Sequence, residues 1–465
     1  MVEIEARLQE LERLGLSRRM RLVSGPQGPT VLLDGKPVLL LCSNNYLGLA
    51  DHPRVREAAA EAAMRWGVGA GASRLVSGTM TIHRRLEERL AEFEGTEGCV
   101  LFGSGYLANI GVIGALTTSG ETIFSDELNH ASIVDGCRAS RAEVVVYRHR
   151  DVEHLAWSLD KHGRRGRVIV TDSVFSMDGD VAPLEQIAEL AAVYGARLIV
   201  DEAHATGILG PGGRGAVAEA GIEADVIIGT LSKALGSYGA YACAGGEMID
   251  YLVNAARPLI FSTAPPPPAV AGALAALRLL QERPHRVQRL RSNARALRRS
   301  LALEGFPVGD SEIPIVPLIV GGERAAVELC QEAIERGIFA QAIRPPAVPA
   351  GTSRLRLTAM ASHTQSELEL AAEVLGGLAR KLGLEPEGMA APAAERVLPP
   401  EPAYAYGDES PVVAEHRLAR PFDAEGELLS AAGPFGGEVE PASSSSSSSA
   451  VPFDLERELS GARAA

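Results

Sequence analysis

Leu198-Ile199-Val200-Asp201-Glu202-Ala203-His204 is the stretch on which the fold turns. Three apolar residues reach an acid, and a histidine follows three positions later. Such a run reads as a buried strand of a parallel sheet, and open parallel sheets bind ligands beyond the carboxyl ends of their strands. Alone, Asp201 could equally be a helix cap beside a hydrogen-bonded His204. A second strand end follows in Gly229-Thr230-Leu231-Ser232-Lys233-Ala234-Leu235-Gly236, where a lysine sits among small and apolar residues. Desolvation there lowers the lysine pKa and leaves a free amine as a nucleophile. Either motif by itself is ambiguous, and a surface lysine is the plainer reading of Lys233 taken alone.

Working outward, Val144–Tyr147, Val168–Thr171, Leu198–Val200 and Val226–Gly229 read as buried strands, with Pro183–Tyr194 the clearest helix between them. This alternation predicts βαβ units around a mostly parallel sheet. After Pro284 the pattern changes. It predicts an Arg-rich helix at Arg286–Leu303, a strand at Ile315–Val320, a helix at Glu323–Arg336, strands at Ile338–Ala342 and Arg354–Thr358, and a last helix at Gln365–Leu382. The expected organisation is an N-terminal segment (1–45), a large α/β domain (46–284), a small α+β domain (285–383) and a tail (384–465).

The tail is rich in Pro, Ala, Glu and Ser and carries a seven-Ser run at Ser443–Ser449. Its 15 acidic and 5 basic residues hold most of the net charge of −14, and its apolar content is too low and too aperiodic to repay ordering entropy. Truncation after Leu384 is therefore expected to leave turnover and melting temperature nearly unchanged, and a large loss of either would mean that the tail completes the site or the core.

Composition narrows the function classes. With 465 residues, 46% of them hydrophobic, a large core is available. The five cysteines (Cys42, Cys99, Cys137, Cys243, Cys330) are odd in number and scattered, which excludes a zinc or disulfide framework and fits a reducing cytoplasm. The acidic balance argues against nucleic acid as a partner. The longest strongly apolar stretch, Ala269–Leu280, is too short for a membrane span, and the N-terminus reads as an amphipathic helix, not an export signal. Gly67-Val68-Gly69-Ala70-Gly71-Ala72 satisfies a dinucleotide fingerprint, but it follows a helical stretch and not a strand, so a nicotinamide site is not expected.

Taken together, the two strand ends point to pyridoxal phosphate. A cofactor with an aldehyde, a pyridine nitrogen and a phosphate needs an amine, an acid and a set of hydroxyl and backbone donors in this relation. Gly103-Ser104-Gly105-Tyr106-Leu107-Ala108-Asn109 supplies a turn entering a helix, whose first amides form a phosphate seat. His130, in Ser125–Ser132, is an aromatic able to stack on the pyridine ring.

Several ordered segments then resemble the α-oxoamine synthase group of fold-type I pyridoxal-phosphate enzymes, from about Ser17 to Leu382. They are Ser43–Leu49 (SNNYLGL), Ser73–Gly78 (SRLVSG), Val174–Asp180 (VFSMDGD), the two strand ends, and Arg344–Thr352 (RPPAVPAGT). The resemblance implies a mostly parallel seven-stranded sheet flanked by helices, a small α+β C-terminal domain, and a homodimer with active sites at its interface. It makes Lys233 the cofactor-bound lysine, Asp201 the partner of the pyridine nitrogen, His204 and Ser176 hydrogen-bonding groups around the ring, and His130 the stacking group. Thr230 and the Gly105–Tyr106 backbone would hold the phosphate, Asn44 and Arg356 the amino-acid carboxylate, and Thr352 the acyl substrate. The sequence departs from the group at Asp172, where Glu is usual. The register of the N-terminal substrate arginine falls on Ser17, which leaves Arg18 as its candidate. The implied activity is decarboxylative condensation of an amino acid with an acyl thioester. L-alanine with a pimeloyl thioester, on coenzyme A or acyl carrier protein, is the expected pair, glycine with acetyl-coenzyme A the alternative, and a catalytically silent interaction subunit the remote one.

Overall fold

The computed structural model describes residues 2–162 and 166–384. Apart from Leu384, the tail expected at 384–465 lies outside the described residues. Seven strands form the large sheet in the order Gly98–Phe102, Ala240–Ala244, Val226–Thr230, Arg197–Asp201, Arg167–Asp172, Thr122–Asp126, Glu143–Tyr147. Ala240–Ala244 runs antiparallel to both its neighbours, and the remaining pairs are parallel. The four strands read from the apolar runs are all present, each extended by one residue or two.

Successive residues of these strands feed opposite cores, as the two-residue period of a strand requires. Val168, Val170, Ile199, Val226 and Ile228 point into one core with Val112 and Ile113 of the helix Gly105–Leu116 and Ile133 of the helix Ala131–Ser140. Ile169, Leu198, Val200 and Ile227 point into the other, against the helices Thr81–Glu94, Leu184–Tyr194 and Pro267–Glu282. Burial on both faces is why these strands read as unbroken apolar runs and not as alternating ones. The expected Pro183 helix starts at Leu184, with Pro183 in the N-cap position and Gly195 (φ 59°) closing it in the left-handed region.

The second core draws on both ends of the chain. An antiparallel three-stranded sheet joins Ile315–Gly321, Ser353–Thr358 and Gln341–Ile343, and a four-stranded sheet joins Val23–Ser24, Thr30–Leu33, Lys36–Leu40 and Ile338–Phe339. Val31, Leu33, Val38 and Leu40 are buried together with Leu297, Leu318, Leu329, Leu355 and Leu375. Residues 30–41 of the N-terminal segment thus share one core with residues 294–379.

One expected strand is corrected. The run Ile338–Ala342 does not form a single strand but divides at buried Ala340. Ile338–Phe339 pairs in parallel with Leu39–Leu40, and Gln341–Ile343 pairs antiparallel with Arg354–Arg356. A local apolar run carries no information about which distant strand pairs with each half. Among the described residues no helix is long and apolar enough to cross a membrane.

Candidate active site

Strand register brings the site together. Asp201 and Asp172 are partners at the carboxyl ends of adjacent parallel strands. Thr230 and Phe102 both face Ala240, so the turn that carries Lys233 and the turn that enters the helix at Gly105 lie on either side of one strand. Everything expected near the cofactor therefore projects from one edge of the sheet.

Asp201 is buried, and its two oxygens accept from Asn109 Nδ2 at 2.6 Å and the Ala203 amide at 2.8 Å. Asn109 also donates to Ser132 Oγ at 2.9 Å, which lies 2.7 Å from His130 Nδ1. These contacts tie the carboxylate to the imidazole that caps the helix Ala131–Ser140. Burial and the neighbouring Asp201 charge push the Asp172 carboxyl well above the usual carboxylate range, and its Oδ2 accepts from the His130 amide at 2.7 Å. Two buried carboxyls side by side cannot both ionise cheaply, and Asp172 is the one pushed upward.

Lys233 Nζ lies 2.8 Å from His204 Nε2. Burial pulls the Lys233 amine down to about 8, with Asp201 and Asp172 opposing the shift. Burial, and then the lysine beside it, hold His204 well below the ordinary imidazole range, so its ring is neutral at pH 7. The other ring nitrogen of His204 is 2.7 Å from the Tyr46 hydroxyl. Tyr46 also meets Asn44 Oδ1 at 3.1 Å and accepts from Arg356 Nη2 at 3.2 Å. Arg356 donates further to Asn44 Oδ1 at 3.2 Å and to the Ser176 carbonyl at 2.5 Å. A continuous polar chain thus runs from Lys233 through His204 and Tyr46 to Arg356 and Asn44.

The phosphate seat expected at Gly105 and Tyr106 lies at the first turn of the helix Gly105–Leu116, where backbone N–H groups lack intrahelical acceptors. Ser104 caps this helix by accepting from Leu107 N at 3.2 Å. Thr230 Oγ1 is 2.8 Å from Ser232 Oγ and donates to the Gly239 carbonyl at 3.1 Å. The Tyr106 side chain is exposed and donates to Asp135. His130 is exposed as well, whereas Ser176 is half-buried.

Thr352 and Arg18 stand apart from the Lys233 cluster. Thr352 is buried, donating to the Pro349 carbonyl at 2.7 Å and accepting from Arg354 at 3.3 Å. Arg18 is exposed and donates to the Pro345 carbonyl at 2.9 Å, beside Arg344, which holds the Gly15 and Ser17 carbonyls.

Four groups escaped the sequence reading. Tyr46 and Asn109 lie inside quoted motifs but carry no signature of their own. Arg354 pairs with Asp178 at 2.5 Å, both side chains less than a tenth exposed, and the signal was available: Ser353–Thr358 reads SRLRLT, and a strand with two arginines at a spacing of two has one polar face. Ser132, which ties His130 to Asn109, had none. Among the described residues no cluster of His, Cys, Asp and Glu could hold a metal ion.

Comparison with known proteins agrees with this geometry. The family model described as aminotransferase class I and II matches residues 36–375. Two proteins named 8-amino-7-oxononanoate synthase, from Geobacter metallireducens and Citrifermentans bemidjiense, are 50% and 52% identical to the chain, each match covering 81% of this chain and 98% of the relative. A solved structure of serine palmitoyltransferase from S. paucimobilis, holding pyridoxal phosphate and myriocin, superposes with a TM-score of 0.78 at 34% identity, covering 82% of this chain and 98% of that one.

Proposed function

Because the chain belongs to the aminotransferase class I and II family, we propose that it condenses L-alanine with a pimeloyl thioester to give 8-amino-7-oxononanoate on the path to biotin, the reaction for which its relatives are named. The alanine α-carbon bonds to the thioester carbonyl carbon, the C–S bond breaks and the thiol leaves, and the alanine carboxyl departs as carbon dioxide. The observation that carries the reading is a lysine amine set 2.8 Å from His204 in the turn after one strand, with a buried aspartate held by Asn109 at the end of the next.

The residues present fit pyridoxal phosphate. Asn109 Oδ1 is buried without a partner, and a Cβ added at Gly105 would meet nothing within 4 Å, so the helix start has open space beside it. Lys233, Asp201, His204, Ser176, His130, Thr230 and the Gly105–Tyr106 backbone would hold the cofactor. When bound, pyridoxal phosphate supplies an aldehyde for amines and a ring that takes up the electron pair released at the amino-acid α-carbon.

The chain's own groups do the rest. Lys233 Nζ takes the α-proton of L-alanine as general base, because its neutral form is well populated near pH 8. His204 is neutral and lies 2.8 Å from that amine, so it orients the lysine without placing a second positive charge beside it. Arg356 and Asn44, already joined at 3.2 Å, hold the alanine carboxylate. Arg18 and Thr352 serve the acyl end.

The assembly we read as a homodimer with sites at its interface. Leu75, Val76 and Phe261 stand 53%, 79% and 71% exposed on adjacent segments, a surface that fits a second copy. A reducing cytoplasm suits its five free thiols.

The test is a comparison of donors, read by thiol release. The alanine methyl is worth only about 1–3 kcal/mol in an apolar pocket, so some leakage to glycine is expected. The acyl end discriminates more strongly, because an acetyl donor forfeits chain burial and leaves the partner of the distal carboxylate unpaired. Pimeloyl thioester with L-alanine should exceed acetyl-coenzyme A with glycine by at least about a hundredfold in kcat/KM. Equal or reversed efficiencies would reject the assignment and leave the cofactor chemistry standing.

A further inference from the structure

His149 lies in the loop after the edge strand Glu143–Tyr147, outside every motif singled out in the sequence. Its side chain is 8% exposed, and its ring makes two contacts of nearly equal length: Nδ1 to Asp126 Oδ1 at 2.9 Å and Nε2 to Asp180 Oδ2 at 2.8 Å. Carboxylates only accept, so both contacts are hydrogen bonds only when both ring nitrogens carry hydrogen. The ring also meets Phe175 edge-on, with centroids 4.3 Å apart at 87°.

The two aspartates belong to the two loops that present cofactor-facing groups. Asp126 ends the strand Thr122–Asp126, and its carboxylate and carbonyl shape the turn to His130 by accepting from the Leu128 and Asn129 amides at 2.9 and 3.2 Å. Asp180 closes the loop that begins at Asp172 and carries Ser176, its carbonyl accepting from the Phe175 amide at 3.0 Å. On the site side the same two segments are joined by the His130 amide and Asp172. On the far side they are joined through His149.

We infer that His149 is a positioning residue for cofactor binding: bonded to Asp126 and Asp180 at once, its ring holds the His130 turn and the Ser176 loop at a set separation. The inference rests on the reading of His130, Ser176 and Asp172 as groups that face pyridoxal phosphate. Burial alone would lower the imidazole pKa, but the two carboxylates outweigh it and raise it to about 10. Burial of Asp180 works to raise its carboxyl, yet the imidazole and Arg150 hold it below its ordinary range. The other charged groups about the ring are Arg150, 3.3 Å from Asp180, and Glu127, which accepts from the His149 amide at 3.1 Å. A group whose pKa is raised on folding stabilises the fold fully below its unfolded value near 6.5 and loses that contribution as pH rises through the folded value. The clamp is therefore present throughout the neutral range and opens near pH 10.

The experiment measures the dissociation constant of pyridoxal phosphate for the full chain, His149→Gln, Asp180→Asn and the double variant, from pH 7 to 10.5, with circular dichroism to verify folding. Each single variant should bind the cofactor at least about tenfold more weakly at pH 7.5, and the double variant should bind no worse than the weaker single one, since both remove one connection. The unsubstituted chain should lose affinity as pH approaches 10, and the size of that loss should shrink in His149→Gln. Asp180→Asn keeps the imidazole in the core and serves as the probe if His149→Gln fails to fold. Affinities within twofold of the unsubstituted chain, additive losses, or an unaltered alkaline limb would overturn the inference. Failure of the unsubstituted chain to bind pyridoxal phosphate would instead sink the cofactor reading beneath it.

Discussion

Lys233→Ala is expected to abolish turnover and the covalent retention of pyridoxal phosphate together. The chain has only three other lysines to take over, Lys36, Lys161 and Lys381. Each is more than half exposed and paired with an acid, Glu335, Asp160 and Glu332 respectively. None of the three shares the desolvation of Lys233, whose amine burial draws down to about 8. The same difference sets the pH dependence. Capture of the aldehyde by the unsubstituted apo chain should quicken as pH rises through about 8 and then level, following the neutral fraction of one amine. Borohydride reduction followed by peptide mapping checks both claims, and label on any other lysine would show that Lys233 is not the attachment site.

The second large effect belongs to Asp201. Asp201→Asn keeps the shape and leaves an oxygen for the Ala203 amide, but it removes the one negative charge that Asn109 and the strand end hold at this position. Loss of a single preorganised electrostatic group from a reaction centre costs about 10²–10³-fold in kcat, or about 2.7–4 kcal/mol. Melting temperature should not fall in parallel, because the Asp201 charge itself pushes up the Asp172 carboxyl and its removal relieves that repulsion. A kcat within tenfold of the parent, or a collapse of stability that accounts for the loss, would remove Asp201 from the chemistry.

Neither of these residues would be at issue without the strands that carry them, and those strands were legible for a simple reason. A strand buried on both faces has no room for polar residues, so a short apolar run that stops at an acid or a lysine marks its own end. Asp201 stands at such a stop, and Lys233 follows the next strand's end at Thr230 by three residues. Tyr46, Arg354 and His149 carry no such mark. Tyr46 matters because the site loop sets its hydroxyl 2.7 Å from His204, a residue 158 positions away. Arg354 lies opposite an aspartate 176 positions away, and no local pattern names that partner.

The sequence by itself determined the class of fold and the cofactor and pointed to the lysine and the acid, because each rests on local signals: short unbroken apolar runs, a lysine and an acid beside strand ends, and hydroxyls and glycines at a turn. Only the tertiary structure decided what is set by pairing between distant segments. It placed strands from residues 30–40 beside Ile338–Phe339 in the second core, divided Ile338–Ala342 between two sheets, and made one buried histidine the link between two loops. Register and long-range charge pairing depend on which surfaces meet after the chain has closed, and a residue's sequence neighbours do not encode that meeting.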